Sequence, residues 1–296
     1  MVTRFSPALG PLARRRRRRS GTARVTVIIP TYNWPTVLPY SIGSVRAQTV
    51  GDWELLVIGD GCTDESEEVV RSIDDPRISW FNLRNNGKSQ VGPNNLGLAL
   101  AGADLIAYCG HDDLWFPDHL ETLLGSGAGF VHASQLRVEP GRTPFVFPEP
   151  HWRYTSGDWL PPTSFMHPRT AAVRAGGWRF PVRGQWNDPE ADLCQRISRR
   201  IGSPHHVRRV TSLKMSAALR KNVYRERPCD EQAFWWARIQ AAPNSEAFVA
   251  DAIANPDLVP PSRYRFEDAS PASLGAPGYD AVERRRITRI LKGLDD

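Results

Sequence analysis

From residue 24 onward, apolar and polar positions alternate between two rhythms. The run "VTVIIP" (25–30) is continuous, β-branched and closed by a proline, the pattern of a strand buried on both faces. The next segment, "TVLPYSIGSVRAQ" (36–48), places its apolar residues at helical spacing. "DWELLVIGDG" (52–61) is a second buried strand, "RISWFNL" (77–83) a third and "DLIAYC" (104–109) a fourth. Between them, "TDESEEVVRSI" (63–73) predicts a helix with Thr63 as N-cap and acidic residues in its first turn. "NNLGLALAG" (94–102) predicts a helix ending at Gly102, and "PDHLETLLGS" (117–126) one begun by Pro117. This alternation predicts an α/β fold, a mostly parallel Rossmann-like sheet flanked by helices on both faces. Such sheets bind ligands beyond the carboxyl ends of their strands.

After residue 130 the rhythm loosens. "PEPHWRYTSGDWLPPTSFMHPRT" (148–170) is rich in proline and aromatics and is expected to form a loop layer over a site. "DPEADLCQRISRRIG" (188–202) predicts an amphipathic helix closed by Gly202, and "VRRVTSLKMSA" (207–217) a strand. Beyond residue 228, "DEQAFWWARIQA", "SEAFVADAIA" and "DAVERRRITRILKGL" predict three helices separated by a proline-rich linker. The expected organisation is a disordered arginine-rich tail (1–22), an α/β domain (23–227) and a helical C-terminal extension (228–296).

Composition narrows the class. With 296 residues, 41% hydrophobic and 24% charged, the chain has ample core material for one large domain with an appendage. No run approaches the roughly 20 apolar residues of a membrane span. No apolar segment follows the N-terminal arginines, so a secretory signal is not expected. Cys62, Cys109, Cys194 and Cys229 lie far apart and read as reduced thiols of a cytoplasmic protein. The net charge of +6 equals the six arginines of Arg14 to Arg19, so the rest of the chain is close to neutral. Such a run stays solvated and offers contact to nucleic acid or to an anionic membrane, which would place the protein peripherally at the inner membrane surface.

Two strand ends carry carboxylates: Asp60 follows "LLVIG", and Asp112 with Asp113 follows "IAYCGH". Adjacent carboxylates repel and are costly to desolvate. Either "YCGHDDLW" (108–115) is a solvated turn, or it meets a divalent cation and a phosphorylated ligand. Both strands ending on one rim of one sheet favours a site.

The stretches "VTVIIPTYNWPTVLPYSIGSVRAQT", "WELLVIGDGCTDES" and "GKSQVGPNNLGLALAGADLIAYCGHDDLWFPDHL" together resemble a family 2 glycosyltransferase of the GT-A fold. The resemblance covers about residues 24 to 125 closely and 160 to 225 more loosely. It implies a nucleotide-diphospho-sugar donor, Mg²⁺ or Mn²⁺ as cofactor, transfer with inversion and an acceptor that the motifs do not identify. By position, Pro30, Thr31 and Tyr32 would lie along the base, and Asp60 would accept from its imide nitrogen. Lys88 and Asn94 would lie in the segment closing over base and ribose. Asp112 would hold the metal, with His111 at the variable middle position beside the nucleotide. Asp113 would either stand near the metal or sugar hydroxyls or cap the following turn. A cation bridging both phosphates stabilises the leaving group, and hard cations take oxygen ligands.

Two departures matter. Gly110 stands where the family commonly has the first Asp of Asp-x-Asp, and "NDPEADL" replaces a Glu-Asp pair. Aligned on "DL..R", Glu190 falls at the base position, flanked by Asp188 as the other candidate and by Asp192 in a supporting place. The base must take the proton of the acceptor hydroxyl. Arg220 and Lys221 would either fold over the diphosphate or solvate a helix face. His167 either approaches the substrates or has no function, and Trp152, Trp159, Trp178 and Trp186 either stack on sugar or form core. The resemblance implies a hexosyltransferase using a UDP-sugar. The alternatives are a nucleotidyltransferase, disfavoured because "PTYNWP" occupies the place of its Gly-rich loop, and a non-catalytic nucleotide-sugar-binding protein.

Overall fold

The computed structural model describes residues 23–180, 182, 188–255, 264, 281–292 and 294. The strands are β1 (Val25–Thr31), β2 (Trp53–Gly59), β3 (Ile78–Asn82), β4 (Leu105–Tyr108), β5 (Leu114–Trp115), β6 (Val131–Val138), β7 (Phe145–Phe147), β8 (Phe165–Pro168) and β9 (His205–Met215). The helices are α1 (Leu38–Arg46), α2 (Ser66–Ser72), α3 (Val91–Leu100), α4 (His119–Gly125), α5 (Arg169–Arg174), α6 (Pro189–Ile201), α7 (Val223–Glu226), α8 (Asp230–Ala241), α9 (Ser245–Ala254) and α10 (Ala281–Lys292).

One sheet runs β3-β2-β1-β4-β8-β6-β9-β5, with β7 paired to β6. The first four strands are parallel, as their apolar runs require. Residues Val25, Val27, Ile29, Leu55 and Val57 pack with α1 and α4 through Leu38, Ile42, Leu120 and Leu123. On the opposite face, Ile28, Leu56 and Ile58 pack with Val91 and Leu98 of α3 and with Leu193 and Ile197 of α6. Two buried faces leave no polar alternation to see. The far half of the sheet is mixed: β8 is antiparallel to β4 and β6, β5 is antiparallel to β9, and β6 is parallel to β9.

Three expectations need correction. Helix α2 starts at Ser66 with Glu65 at the N-cap, because Thr63 is held elsewhere: its N–H donates to Asn33 Oδ1 at 2.8 Å. The supposed loop layer contains β8, whose Phe165, Met166 and His167 are fully buried in the sheet. That strand is only four residues long, too short for a period to show. Helix α4 begins at His119, two residues after Pro117.

Helices α8 and α9 pack on the sheet. Trp235, Ile239, Phe248 and Ala252 share one cluster with Leu114, Phe116, Leu136 and Leu213 of the sheet half that carries β5, β6 and β9. Helix α10 meets the segment after β9, where the Asn222 N–H donates to the Leu291 carbonyl at 2.6 Å. All four cysteines are unpaired. Among the described residues no helix is long and apolar enough to cross a membrane. Arg14 to Arg19, the proline-rich linker and Trp186 lie outside the described residues.

Candidate active site

The carboxyl ends of β1, β2 and β4 deliver their loops to one rim. The Asp60 N–H donates to the Thr31 carbonyl at 2.8 Å, tying the ends of β2 and β1 together. Its carboxylate accepts from Gly87 N at 2.9 Å and Ser89 N at 3.1 Å. Asp60 therefore shapes the loop carrying Lys88. Gly61, at φ +73°, lets the two loops touch: a Cβ there would stand 2.4 Å from Asn86 N.

The "GHDD" turn divides its side chains between three tasks. Asp113 is fully buried and accepts from Lys214 Nζ at 3.0 and 2.9 Å, from Met215 N at 3.1 Å and from the Thr163 hydroxyl. Burial and the Asp112 charge push its carboxyl up, while Lys214 and Thr163 pull it down. The net effect is upward, with burial its first cause, yet three donor groups making four hydrogen bonds to its two oxygens suit the ionised form. Asp113 thus locks β5 to β9 and has no oxygen left for metal or sugar, which corrects the first expectation for it. The glycine before it has the same origin, since a Cβ at Gly110 would meet Asp113 Oδ2 at 2.4 Å.

His111 bridges the rim. Its Nδ1 lies 2.8 Å from Thr31 Oγ1 and its Nε2 2.9 Å from the Tyr224 hydroxyl. Burial lowers its pKa to about 4, against the opposing pull of Asp112, so the ring is neutral at pH 7. Asp112 is the remaining group. Its carboxylate opens on the cavity and has no hydrogen bond to another described residue. Burial acts to raise its pKa, but the charges of Lys214, His111 and Lys292 outweigh burial and hold it below the usual range.

Opposite lies the start of α6, where Asp188 is the N-cap residue and Pro189 occupies the first turn. Glu190 Oε1 accepts from the Trp159 indole N–H at 2.7 Å, and Oε2 from Gln90 Nε2 at 3.1 Å. Burial first, then the Asp188 charge, raises its pKa, and the Trp159 bond lowers it. A carboxylate raised in this way is a stronger proton acceptor than an ordinary glutamate. Beside it stand Phe145, Phe147 and Trp159, with the Arg137 guanidinium 5.6 Å from the Phe147 ring and 5.5 Å from the Trp159 ring. Asp192 pairs with Arg196, which also holds the Gly177 carbonyl at 2.7 Å, so it fastens α6 to the end of α5.

These groups line one cavity of about 970 Å³, within the size range of small-molecule sites. Ten of the thirteen expected positions line it: Pro30, Thr31, Tyr32, Asp60, Lys88, His111, Asp112, Asp113, Asp188 and Glu190. Three do not. Asn94 is fully buried on the core side of α3, whereas Pro93 of the same helix and its N-cap residue Gln90 face the cavity. Arg220 is 3% exposed and tied to Glu231 and to the Ser216 carbonyl, so it is no cover for a diphosphate. Lys221 is exposed and lies off the cavity lining. His167 is buried between Tyr108 and the Pro168 carbonyl, away from the site. Trp178 is core and donates to the Tyr108 hydroxyl at 3.1 Å, whereas Trp159 belongs to the site.

Sequence reasoning missed Thr163, Lys214, Tyr224, Arg289 and Lys292, all on the cavity wall. Lys214 had a usable signal: it is one of four lysines in the chain and sits inside an apolar strand run. A divalent cation is compatible with this wall. Asp112 would supply one oxygen ligand, and the described residues hold no cluster of three or more His, Cys, Asp or Glu. The rest of the shell would come from phosphate and water.

A half-sheet of four parallel strands with its ligand edge at Asp60 and Asp112, continued by a mixed, curled half, defines the GT-A class of α/β folds. Residues 26–163 match the glycosyl transferase family 2 model. A curated relative, the UDP-Glc:alpha-D-GlcNAc-diphosphoundecaprenol beta-1,3-glucosyltransferase WfgD of Escherichia coli, is 35% identical over 97 residues. The match covers 33% of this chain and 38% of that protein. Other curated relatives are spanned to 17% and 32% of their length. S. aureus TarS 1–349 in complex with UDP-GlcNAc is similar in fold, with TM-score 0.53, 14% identity, 78% of this chain and 71% of that chain covered. The mannosyltransferase PcManGT of Pyrobaculum calidifontis, in complex with GDP-Man and Mn²⁺, gives TM-score 0.53, 15% identity and coverage of 97% and 93%.

Proposed function

We propose that the protein is an inverting glycosyltransferase that moves a sugar from a nucleotide-diphospho-sugar, a UDP-sugar, to an acceptor hydroxyl. The observation carrying this reading is that Asp60, Asp112 and Glu190 line a single cavity although they come from three different parts of the chain. The donor names attached to WfgD and TarS support a UDP-sugar, and the GDP-Man of PcManGT supports a nucleotide-diphospho-sugar in general.

In this reading Pro30, Thr31 and Tyr32 flank the base, and Asp60 accepts from it while holding the Lys88 loop in place. His111, neutral and hydrogen-bonded on both sides, keeps the β1 end and Tyr224 together. Asp112 would hold Mg²⁺ or Mn²⁺, which supplies charge neutralisation for the departing diphosphate. Glu190 takes the acceptor proton, Asp188 keeps its pKa raised, and Trp159 with Gln90 aims its two oxygens. Phe147 and Trp159 beside Glu190 offer ring faces to an acceptor. The six arginines Arg14 to Arg19 support peripheral contact with an anionic surface of membrane or nucleic acid.

The test is release of nucleoside diphosphate from a panel of UDP- and GDP-sugars, with Mn²⁺, with Mg²⁺ and with chelator. Release from a UDP-sugar that needs a divalent ion is expected. Binding of UDP-sugars without release under any condition, acceptor panel included, would favour the non-catalytic binding protein instead.

A further inference from the structure

The cavity is not closed by the family-matched residues. Thr288, Arg289 and Lys292 of α10 and Leu294 just after it line the cavity as well, far beyond residue 163 where the family match ends. Two contacts place this helix on the loops that frame the site. Arg289 Nη1 donates to the Lys88 carbonyl at 3.3 Å, on the loop that Asp60 pins. Lys292 Nζ stands 5.9 Å from the Tyr224 ring, whose hydroxyl meets His111.

The charge around Asp112 makes that placement consequential. Lys214 is engaged by Asp113 through both oxygens, and Arg137 and Arg142 share Glu139 at 3.1 and 3.0 Å. Arg220, the basic residue expected over the diphosphate, is committed to Glu231. Lys292 acts electrostatically on both His111 and Asp112, and Arg289 acts on Tyr224. A diphosphate beside Asp112 would draw cationic side chains on the wall facing it, and guanidinium and ammonium groups are the side chains that bind phosphate oxygens.

We infer that Arg289 and Lys292 of the C-terminal helix bind the diphosphate of the donor, completing a site that the family module leaves open. This rests on the donor reading given above. Arg289 grips from the Lys88 side and Lys292 from the Tyr224 side, so the leaving group sits between the helix and Asp112.

The test uses the full chain and calorimetric titration with UDP, GDP and uridine, each with Mn²⁺ present. Arg289→Met and Lys292→Met should each weaken UDP binding by roughly tenfold. Uridine binding, which involves no diphosphate, should stay as in the wild type and shows that each variant is folded. Lys292→Arg should recover most of the lost UDP affinity. The wild-type affinity for UDP should also fall more steeply with added NaCl than that of Lys292→Met. Equal UDP binding by wild type and both Met variants would overturn the inference and leave the donor reading standing. Parallel loss of UDP and uridine binding would overturn it too, by making the helix a structural support. Wild type that binds neither UDP nor GDP would remove the donor reading itself, and the inference with it.

Discussion

The two walls of the cavity are built in different ways. On the near wall, Pro30, Thr31, Asp60 and the turn from Gly110 to Asp113 come from the carboxyl ends of adjacent parallel strands, each at the end of a buried apolar run. The far wall, from Arg137 to Leu294, is assembled by side-chain pairs between distant segments. Lys214 reaches Asp113 across 101 residues, Tyr224 reaches His111 across 113, and Glu190 reaches Gln90 across 100. Topology alone sets the first wall. The second exists only when every partner is in place, and the family match stops at its threshold, at residue 163.

The largest expected effect would break the far wall at its chemistry. Glu190→Gln should lower turnover by roughly 10²–10⁴-fold, the range for a lost general base, while UDP affinity stays near wild type. Transfer assays and calorimetry on the same preparation check this. If Asp188→Asn abolishes transfer and Glu190→Gln spares it, the base lies two residues earlier.

Next comes the joint between the walls. Lys214→Met leaves Asp113 as an uncompensated charge at a fully buried position, and breaking such a pair destabilises by about 3–5 kcal/mol. Urea unfolding measures it, and the double variant Lys214→Met with Asp113→Asn should recover part of the loss. Full stability of the single variant would mean that the joint is not what holds β5 against β9.

A smaller change sharpens the steric side of the same joint. Gly110→Ala puts a methyl 2.4 Å from Asp113 Oδ2. Overpacking of this kind costs about 1–3 kcal/mol, again read by urea unfolding. Ala tolerated without loss would detach Gly110 from Asp113.

The smallest expected effect is a shift in a pH profile. Burial and Asp188 raise the Glu190 pKa above its ordinary value, so activity should climb with pH through an acid limb above the usual glutamate range. Asp188→Asn should move that limb down, and kcat/KM against pH measures it. The sign for stability is opposite to that for activity. A folded-state pKa above the unfolded one stabilises the fold below the unfolded pKa, and this contribution is lost as pH rises through the folded value. Glu190 is therefore least favourable to the fold in its ionised form.

Much of the near wall was legible because the signals are local. A β-branched run that ends in Pro30 or Asp60 declares both a strand and its terminus, and buried faces leave it continuously apolar. Asn94 was misplaced by a single step along α3: Gln90 and Pro93 face the cavity, and the next residue turns about 100° into the core. Arg220 was misread because its partner, Glu231, lies on another helix and nothing in "ALRKN" points to it. Strand β8 was hidden by its length and its prolines.

The sequence by itself determined the order of β1 to β4 and α1 to α4, the rim where the carboxylates emerge and the identity of the groups at that rim. These follow from hydrophobic period and strand ends, which short-range physics controls. Only the tertiary structure decided which carboxylate is spent and which faces the cavity. Asp112 and Asp113 are chemically identical neighbours, and Lys214, Met215 and Thr163 select Asp113 for the lock. The choice depends on donors brought from 50 to 102 residues away, and no local pattern carries the position of a partner that distant.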